Sequence, residues 1–286
     1  MRTPLIPPEL HSWTMSDGYV LRGRLWRPVR GGTGRGVLYL HGIQSHGGWF
    51  EWSASLIAAG GNAVLLADRR GSGLNTEAHG DTPSADRWLE DVGELSDWLS
   101  TECGVTQRAM VGVSWGGKLA AAWALRYPER VRHLLMIAPG LFPAVDVGLA
   151  RRIHIGVSLL ARPTLPVPIP LDDPALFTQD AMGQAFIAND NLKLTHATAR
   201  FFYESSRLDH RLVRSASGTL RAKTTLVLAG CDRIIRNAPT VAWLTRIAEH
   251  SPAIHTFSES AHTLEFEPKP DDFGRLVERW GSDIGE

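Results

Sequence analysis

The sequence predicts an α/β protein: a mostly parallel sheet with helices on both of its faces. Three observations carry that expectation. Short apolar runs recur without polar alternation, as strands buried on both faces do. They are Gly36 to Leu40, Ala63 to Ala67, Ala109 to Val113, Leu134 to Ile137 and Thr225 to Ala229. Between most of them lie helical patterns, with Trp88, Leu89, Val92, Leu95 and Leu99 spaced as one buried helix face, and Leu119, Ala122, Trp123 and Arg126 opening another. The chain is also long enough to bury such a core, and its 43% hydrophobic and 21% charged residues are ordinary globular usage.

The elements follow in order. Trp13, Tyr19, Leu21, Leu25 and Trp26 flank Ser16-Asp17-Gly18, two strands around a tight turn. Gly31-Gly32-Thr33-Gly34 reads as a loop. The β/α alternation then runs to Ile137, and residues 141–214 interrupt it. That segment holds an amphipathic pattern (Leu149, Ile153, Val157, Leu160), a proline-rich stretch from Pro163 to Pro174, and helical residues from about Ala197 to Leu208. It is too long for an ordinary loop. It reads as a helical cap inserted after the sixth strand, with residues 1–140 and 215–286 forming the core around it.

Composition excludes several functions. Thirty basic residues balance thirty acidic ones, which argues against a nucleic-acid partner. Cys103 and Cys231 have neither disulfide-framework nor zinc-ligand spacing, and they suit a reducing cytoplasm. Met1 to Leu10 holds three prolines and no apolar signal core, and no apolar run reaches the ~18 residues a membrane span needs. A soluble, cytoplasmic protein is expected.

The chemistry centres on Gly112-Val113-Ser114-Trp115-Gly116-Gly117, a G-x-S-x-G motif that follows an apolar strand and precedes a helical pattern. In that setting the serine sits on a sharp strand-to-helix turn, its hydroxyl exposed at the sheet edge, with the glycines leaving room for the backbone. A hydroxyl is a weak nucleophile and needs a base held by a third group. Where this motif is catalytic, the chain order is serine, acid, histidine, which leaves His250, His255 and His262. His255 falls in the last strand pattern and His250 at a helix end; His262 alone follows the strand in a small polar loop. Asp232, just past Thr225 to Ala229, suits the acid, with Glu259 as runner-up.

An oxyanion hole would use the N–H of Trp115 and an N–H of the His41-Gly42-Ile43 loop, assigned to Ile43 with Gln44 as the alternative. His41, Gly42 and Gln44 then border the substrate, and Val157 and Leu160 of the cap are candidates to line its pocket. Core packing is the other reading of that apolar face. His41 and His46 lack a third ligand at metal-site spacing, so no metal and no cofactor is expected. Gly112 to Lys118 almost spells a phosphate loop, but Leu119 stands where Ser or Thr would bind magnesium. Gly71-Ser72-Gly73 begins a dinucleotide fingerprint whose third glycine is Thr76.

His41-Gly42, His46-Gly47-Gly48-Trp49-Phe50, Asp68-Arg69-Arg70-Gly71-Ser72-Gly73, the Ser114 motif, Gly230-Cys231-Asp232 and Ala261-His262 occur in that order. Together they resemble the monoacylglycerol lipase and lysophospholipase branch of the α/β hydrolases, which is also serine aminopeptidase-like. The resemblance implies an eight-stranded α/β-hydrolase fold and an acyl-enzyme mechanism on a small apolar ester, an acylglycerol or lysophospholipid. Thioester, peptide, amide and carbon–carbon bond hydrolysis with the same triad stay open, as does a non-catalytic ligand-binding role. The resemblance further implies transient contact of the cap with lipid surfaces. It departs at Ser45, where the family carries an acidic residue before the second histidine of the loop.

Overall fold

The computed structural model describes residues 2–28, 34–105, 107–145 and 148–284. Gly31 to Thr33 of the expected glycine loop lie outside the described residues. The elements run β1 (Glu9–Thr14), β2 (Val20–Trp26), β3 (Arg35–Leu40), α1 (Glu51–Ala59), β4 (Ala63–Ala67), α2 (Ala85–Cys103), β5 (Gln107–Val113), α3 (Trp115–Arg126) and β6 (His133–Ile137). Then come α4 (Leu149–Ala161), β7 (Pro166–Pro168), α5 (Ala181–Asn189), β8 (His196–Thr198) and α6 (Ala199–Val213). β9 (Lys223–Ala229), α7 (Asn237–Ile247), β10 (Ala253–Phe257) and α8 (Asp271–Asp283) complete the chain.

Among the described residues, eight strands form one sheet in the order β1-β2-β4-β3-β5-β6-β9-β10. The β1–β2 and β2–β4 pairs are antiparallel, and every later pair is parallel. The apolar runs are continuous because both faces are covered. Leu38, Leu65, Met110, Leu134 and Leu226 face a core shared with Trp88, Leu119 and Leu244 of α2, α3 and α7. Their neighbours Val37, Val64, Val111, Leu135 and Val227 face Ile57, Phe273 and Val277 of α1 and α8. Alternate side chains thus feed two cores, as the two-residue period of a strand requires. The helix α2 starts where the Ser84 side chain accepts from the Arg87 N–H and stops at left-handed Gly104.

The strand order reverses between β3 and β5, since β4 lies on one side of β3 and β6, β9 and β10 lie beyond β5. A crevice at the carboxyl ends of strands where order reverses is where open α/β sheets hold ligands. Residues 138–222 leave the sheet after β6 and return at β9. They carry α4, α5 and α6 and the small β7–β8 pair; α5 and the pair were not anticipated from sequence.

Candidate active site

Ser114 stands in the turn from β5 to α3 with φ 51° and ψ −123°. A non-glycine residue there stores strain of order 1–3 kcal/mol, so the surroundings must impose it. The Ser114 N–H donates to Ile137 O at 2.9 Å, and Ser114 O accepts from the N–H groups of Gly117 and Gly140 at 2.9 and 2.7 Å. The glycines are needed for space. A Cβ on Gly116 would lie 2.3 Å from Leu40 O, and one on Gly112 2.6 Å from Gly117 Cα.

Asp232 and His262 meet across the loops that follow β9 and β10. The carboxylate is fully buried. Its Oδ1 accepts from the N–H groups of Ile234 and Ile235 at 2.8 and 2.9 Å, and its Oδ2 accepts from His262 Nδ1 at 2.8 Å. With Nδ1 donating, the neutral ring presents a lone pair at Nε2. That nitrogen is buried and has no partner among the described residues. The loops are laced by Cys231 N–H to Ser260 O at 2.9 Å, and a Cβ on Gly230 would strike Ser258 O at 2.3 Å.

The loop after β3 arrives beside Ser114: a Cβ on Gly42 would lie 3.3 Å from Ser114 Cβ. His41 does not face the substrate side, contrary to expectation. Its Nε2 accepts from the Arg69 N–H at 2.7 Å, so Nδ1 is the protonated nitrogen and donates to Gly42 O at 2.9 Å. Burial, then the Arg69 charge, hold its pKa well below the usual histidine value. The Arg69 guanidinium adds bonds to Gly42 O at 3.0 Å and Ile43 O at 3.1 Å. Burial pushes that guanidinium down to about 9, opposed in part by Asp68. It also lies over the Trp115 ring at 4.7 Å. Gln44 is buried, and its carbonyl accepts from the Leu194 N–H at 2.9 Å.

A cavity of about 490 Å³ opens at Ser114, Ile43 and Trp115 and runs between α3, α4 and α6. The helix α4 meets it with Arg152, Ile155, Gly156 and Leu159. The expectation that Val157 and Leu160 line the pocket is corrected: they are 62% and 92% exposed, on an outer face with Leu149 and Ile153. Both sides of α4 are apolar, so spacing alone could not tell which one turns inward. His41, Gly42 and Gln44 are not among the residues lining this cavity.

The family model described as serine aminopeptidase, S33 matches residues 34–269. The chain belongs to that family. In this S33 chain the fold is that of the α/β hydrolases. A soluble variant of monoglyceride lipase from Saccharomyces cerevisiae, solved with a substrate analogue, superposes with a TM-score of 0.82 at 14% identity, covering 98% of each chain. Phospholipase YtpA of Bacillus subtilis (strain 168) is 22% identical over 240 residues, 82% of this chain and 90% of its own length. The Escherichia coli (strain K12) protein YnbC is 23% identical over 286 residues; the match spans 96% of this chain but only 48% of YnbC.

Three groups at this S33 site escaped the sequence. Arg69 was legible only as part of a turn. Lys118 drew notice as a failed phosphate-loop lysine, but its ion pair with Asp209 spans 91 residues. The third group joins Asp190 to His46 and Trp49, whose Nε2 and Nε1 donate to Asp190 Oδ2 at 3.1 and 2.6 Å. Burial alone would raise the Asp190 carboxyl, but those two bonds outweigh it and hold it below the usual range. An arginine two residues past a buried strand was the one available signal, for Arg69. Long-range pairs leave none in a single sequence.

Proposed function

We propose that this chain is a serine hydrolase that cleaves carboxylic esters through an acyl-enzyme. Ser114 Oγ attacks the ester carbonyl while His262 Nε2 takes its proton, and Asp232 holds the ring and stabilises its cation. The N–H groups of Ile43 and Trp115 receive the developing oxyanion. His262 then returns the proton to the departing alcohol oxygen, and water repeats the sequence to release the acid. The observation that carries this reading is the Asp232–His262 bond at 2.8 Å, which leaves Nε2 buried and without a partner among the described residues. The strained Ser114 turn at the sheet's reversal point supports it.

Residues 141–214 act as the cap over the cavity. Its mostly apolar walls, and the names of the phospholipase and monoglyceride lipase relatives, favour a small, largely apolar ester. The outer face of α4 carries Leu149, Ile153, Val157 and Leu160 exposed, which suits transient contact with a lipid surface. No helix among the described residues is long and apolar enough to cross a membrane. The unpaired Cys103 and Cys231 suit a cytoplasmic location. Amide hydrolysis is the second reading, favoured by the family description.

The deciding experiment is fluorophosphonate labelling, followed by p-nitrophenyl esters of rising chain length and an aminoacyl anilide. The wild type labels at Ser114 and turns over the esters, and Ser114→Ala loses both by at least about a thousandfold. Labelling retained in Ser114→Ala refutes the nucleophile. Anilide turnover exceeding every ester moves the reading to amides.

A further inference from the structure

The cavity beside Ser114 contains a polar cluster that ester cleavage does not require. Lys118 lies one turn along α3 from Ser114, ~6 Å along the helix axis. Its side chain is 6% exposed. The ammonium donates to Asp209 Oδ1 at 2.7 Å and to Ser205 Oγ at 3.2 Å. Trp115 Nε1 donates to the same Ser205 Oγ at 2.9 Å. All four side chains belong to the cavity lining, beside apolar Ile155, Leu159 and Ile169.

Their hydrogen-bonding capacity is not used up. An ammonium has three N–H groups, and two are engaged here. Ser205 Oγ receives two donors, so its own proton needs a further acceptor, which neither Lys118 nor Trp115 can be. No described residue supplies one. Asp209 has a second carboxylate oxygen able to accept. Burial raises the Asp209 carboxyl, with Lys118 opposing; the Asp209 side chain is 30% exposed where it opens to the cavity, and Lys118 is the buried member of the pair. Unmet donors in such a wall are costly, and a ligand that satisfies them gains accordingly.

The side of the ester that meets this cluster follows from proton transfer. The departing oxygen must reach His262 Nε2, so the alcohol half lies towards His262. Ser114, Ile43 and Trp115 line the cavity and His262 does not, so the cavity takes the acyl half. We infer that Lys118, Ser205 and Asp209 form a subsite for a hydroxyl on the acyl chain, making medium-chain hydroxy acid esters the preferred substrates. The hydroxyl oxygen accepts from Lys118 and Ser205 while its proton goes to Asp209. A carboxylate has no proton to give and meets the Asp209 charge. An ammonium repeats the Lys118 charge, and a methyl end leaves the cluster unmet. The inference rests on Ser114 being the nucleophile.

The test compares p-nitrophenyl hexanoate with counterparts whose chain ends in a hydroxyl, a carboxylate or an ammonium. The leaving group is constant, so differences report the acyl chain. Wild-type kcat/KM for the hydroxyl ester exceeds that for hexanoate by about tenfold, chiefly through KM, and both charged esters fall below hexanoate. In Ser205→Ala and Lys118→Met the hydroxyl-to-hexanoate ratio drops to within about twofold of unity. Hexanoate turned over as well as the hydroxyl ester, or a carboxylate preference, overturns the subsite. Those outcomes come from the wild type, so a variant that fails to fold cannot shelter the idea. Absence of both fluorophosphonate labelling and turnover of any ester instead overturns the nucleophile, and the subsite with it.

Discussion

At Gly42 a single carbonyl oxygen receives two hydrogen bonds, from His41 Nδ1 and from the Arg69 guanidinium. A trans peptide is planar, so a carbonyl held on one side points the following N–H, that of Ile43, to the other. Arg69 is therefore a positioning residue for the proposed oxyanion hole: it holds the Gly42–Ile43 peptide and lies over the ring of Trp115, the other proposed donor. Arg69→Met should lower kcat for a short soluble ester by about tenfold to a hundredfold, less than the full loss of one donor, with KM changed by less than about threefold. Arg69→Lys should not restore it, because an ammonium cannot reproduce the planar fork that serves two carbonyls. Equal losses in kcat and binding, or full rescue by lysine, would remove the positioning role. The Lys118 cluster differs in kind. It touches the chain of the substrate rather than the reacting atoms, and its signature is selectivity.

Among the elements, α4 marks the limit of what sequence alone conveys. Its helical period was legible, but its orientation was not, because Ile155 and Leu159 on one side rival Leu149, Ile153, Val157 and Leu160 on the other. A helix packed on one partner takes its inward face from tertiary contacts, which periodicity does not contain. The strands posed no such problem, since continuous apolar runs from Gly36 to Ala229 require cover on both faces whatever the partner. Ser114, Asp232 and His262 were legible for a local reason: each sits just past a readable strand, in a turn of small or polar residues. The two faces of α4 also separate in experiment. Ile153→Asp and Leu160→Asp should leave hydrolysis of a short soluble ester within about twofold and reduce co-sedimentation with phospholipid vesicles. Leu159→Asp should lower kcat/KM for octanoyl esters more than for acetyl esters, because it places a charge in the apolar cavity. Unaltered vesicle binding in both outer-face variants would dismiss the lipid-contact reading, and an unchanged chain-length profile in a folded Leu159→Asp would take that residue out of the pocket.

For the molecule as a whole, the sheet gathers distant segments at one edge and also buries an ionisable group away from the chemistry. Glu265 lies three residues beyond His262 and is buried; its Oε1 accepts from the Ser53 N–H at 2.9 Å, while Oε2 has no partner among the described residues. Burial raises its carboxyl from 4.5 to about 7, against the lowering effect of the Ser53 bonds. A carboxyl whose pKa is higher in the folded state than in the unfolded chain favours folding most while both states are protonated. As pH rises past the unfolded value the unfolded chain ionises first, and stability falls until the folded carboxyl has ionised too. The window therefore runs from 4.5 to about 7, and a rise of this size is worth on the order of 3 kcal/mol. Urea midpoints should decline across that window in the wild type and decline less in Glu265→Gln, which cannot ionise. Above it the variant should be the more stable of the two, even though its amide nitrogen inherits the unpartnered position. Other carboxyls and histidines add to both curves alike, so the difference between them isolates Glu265. Parallel curves across the window would mean that the Glu265 carboxyl ionises at the same pH in the folded and unfolded protein.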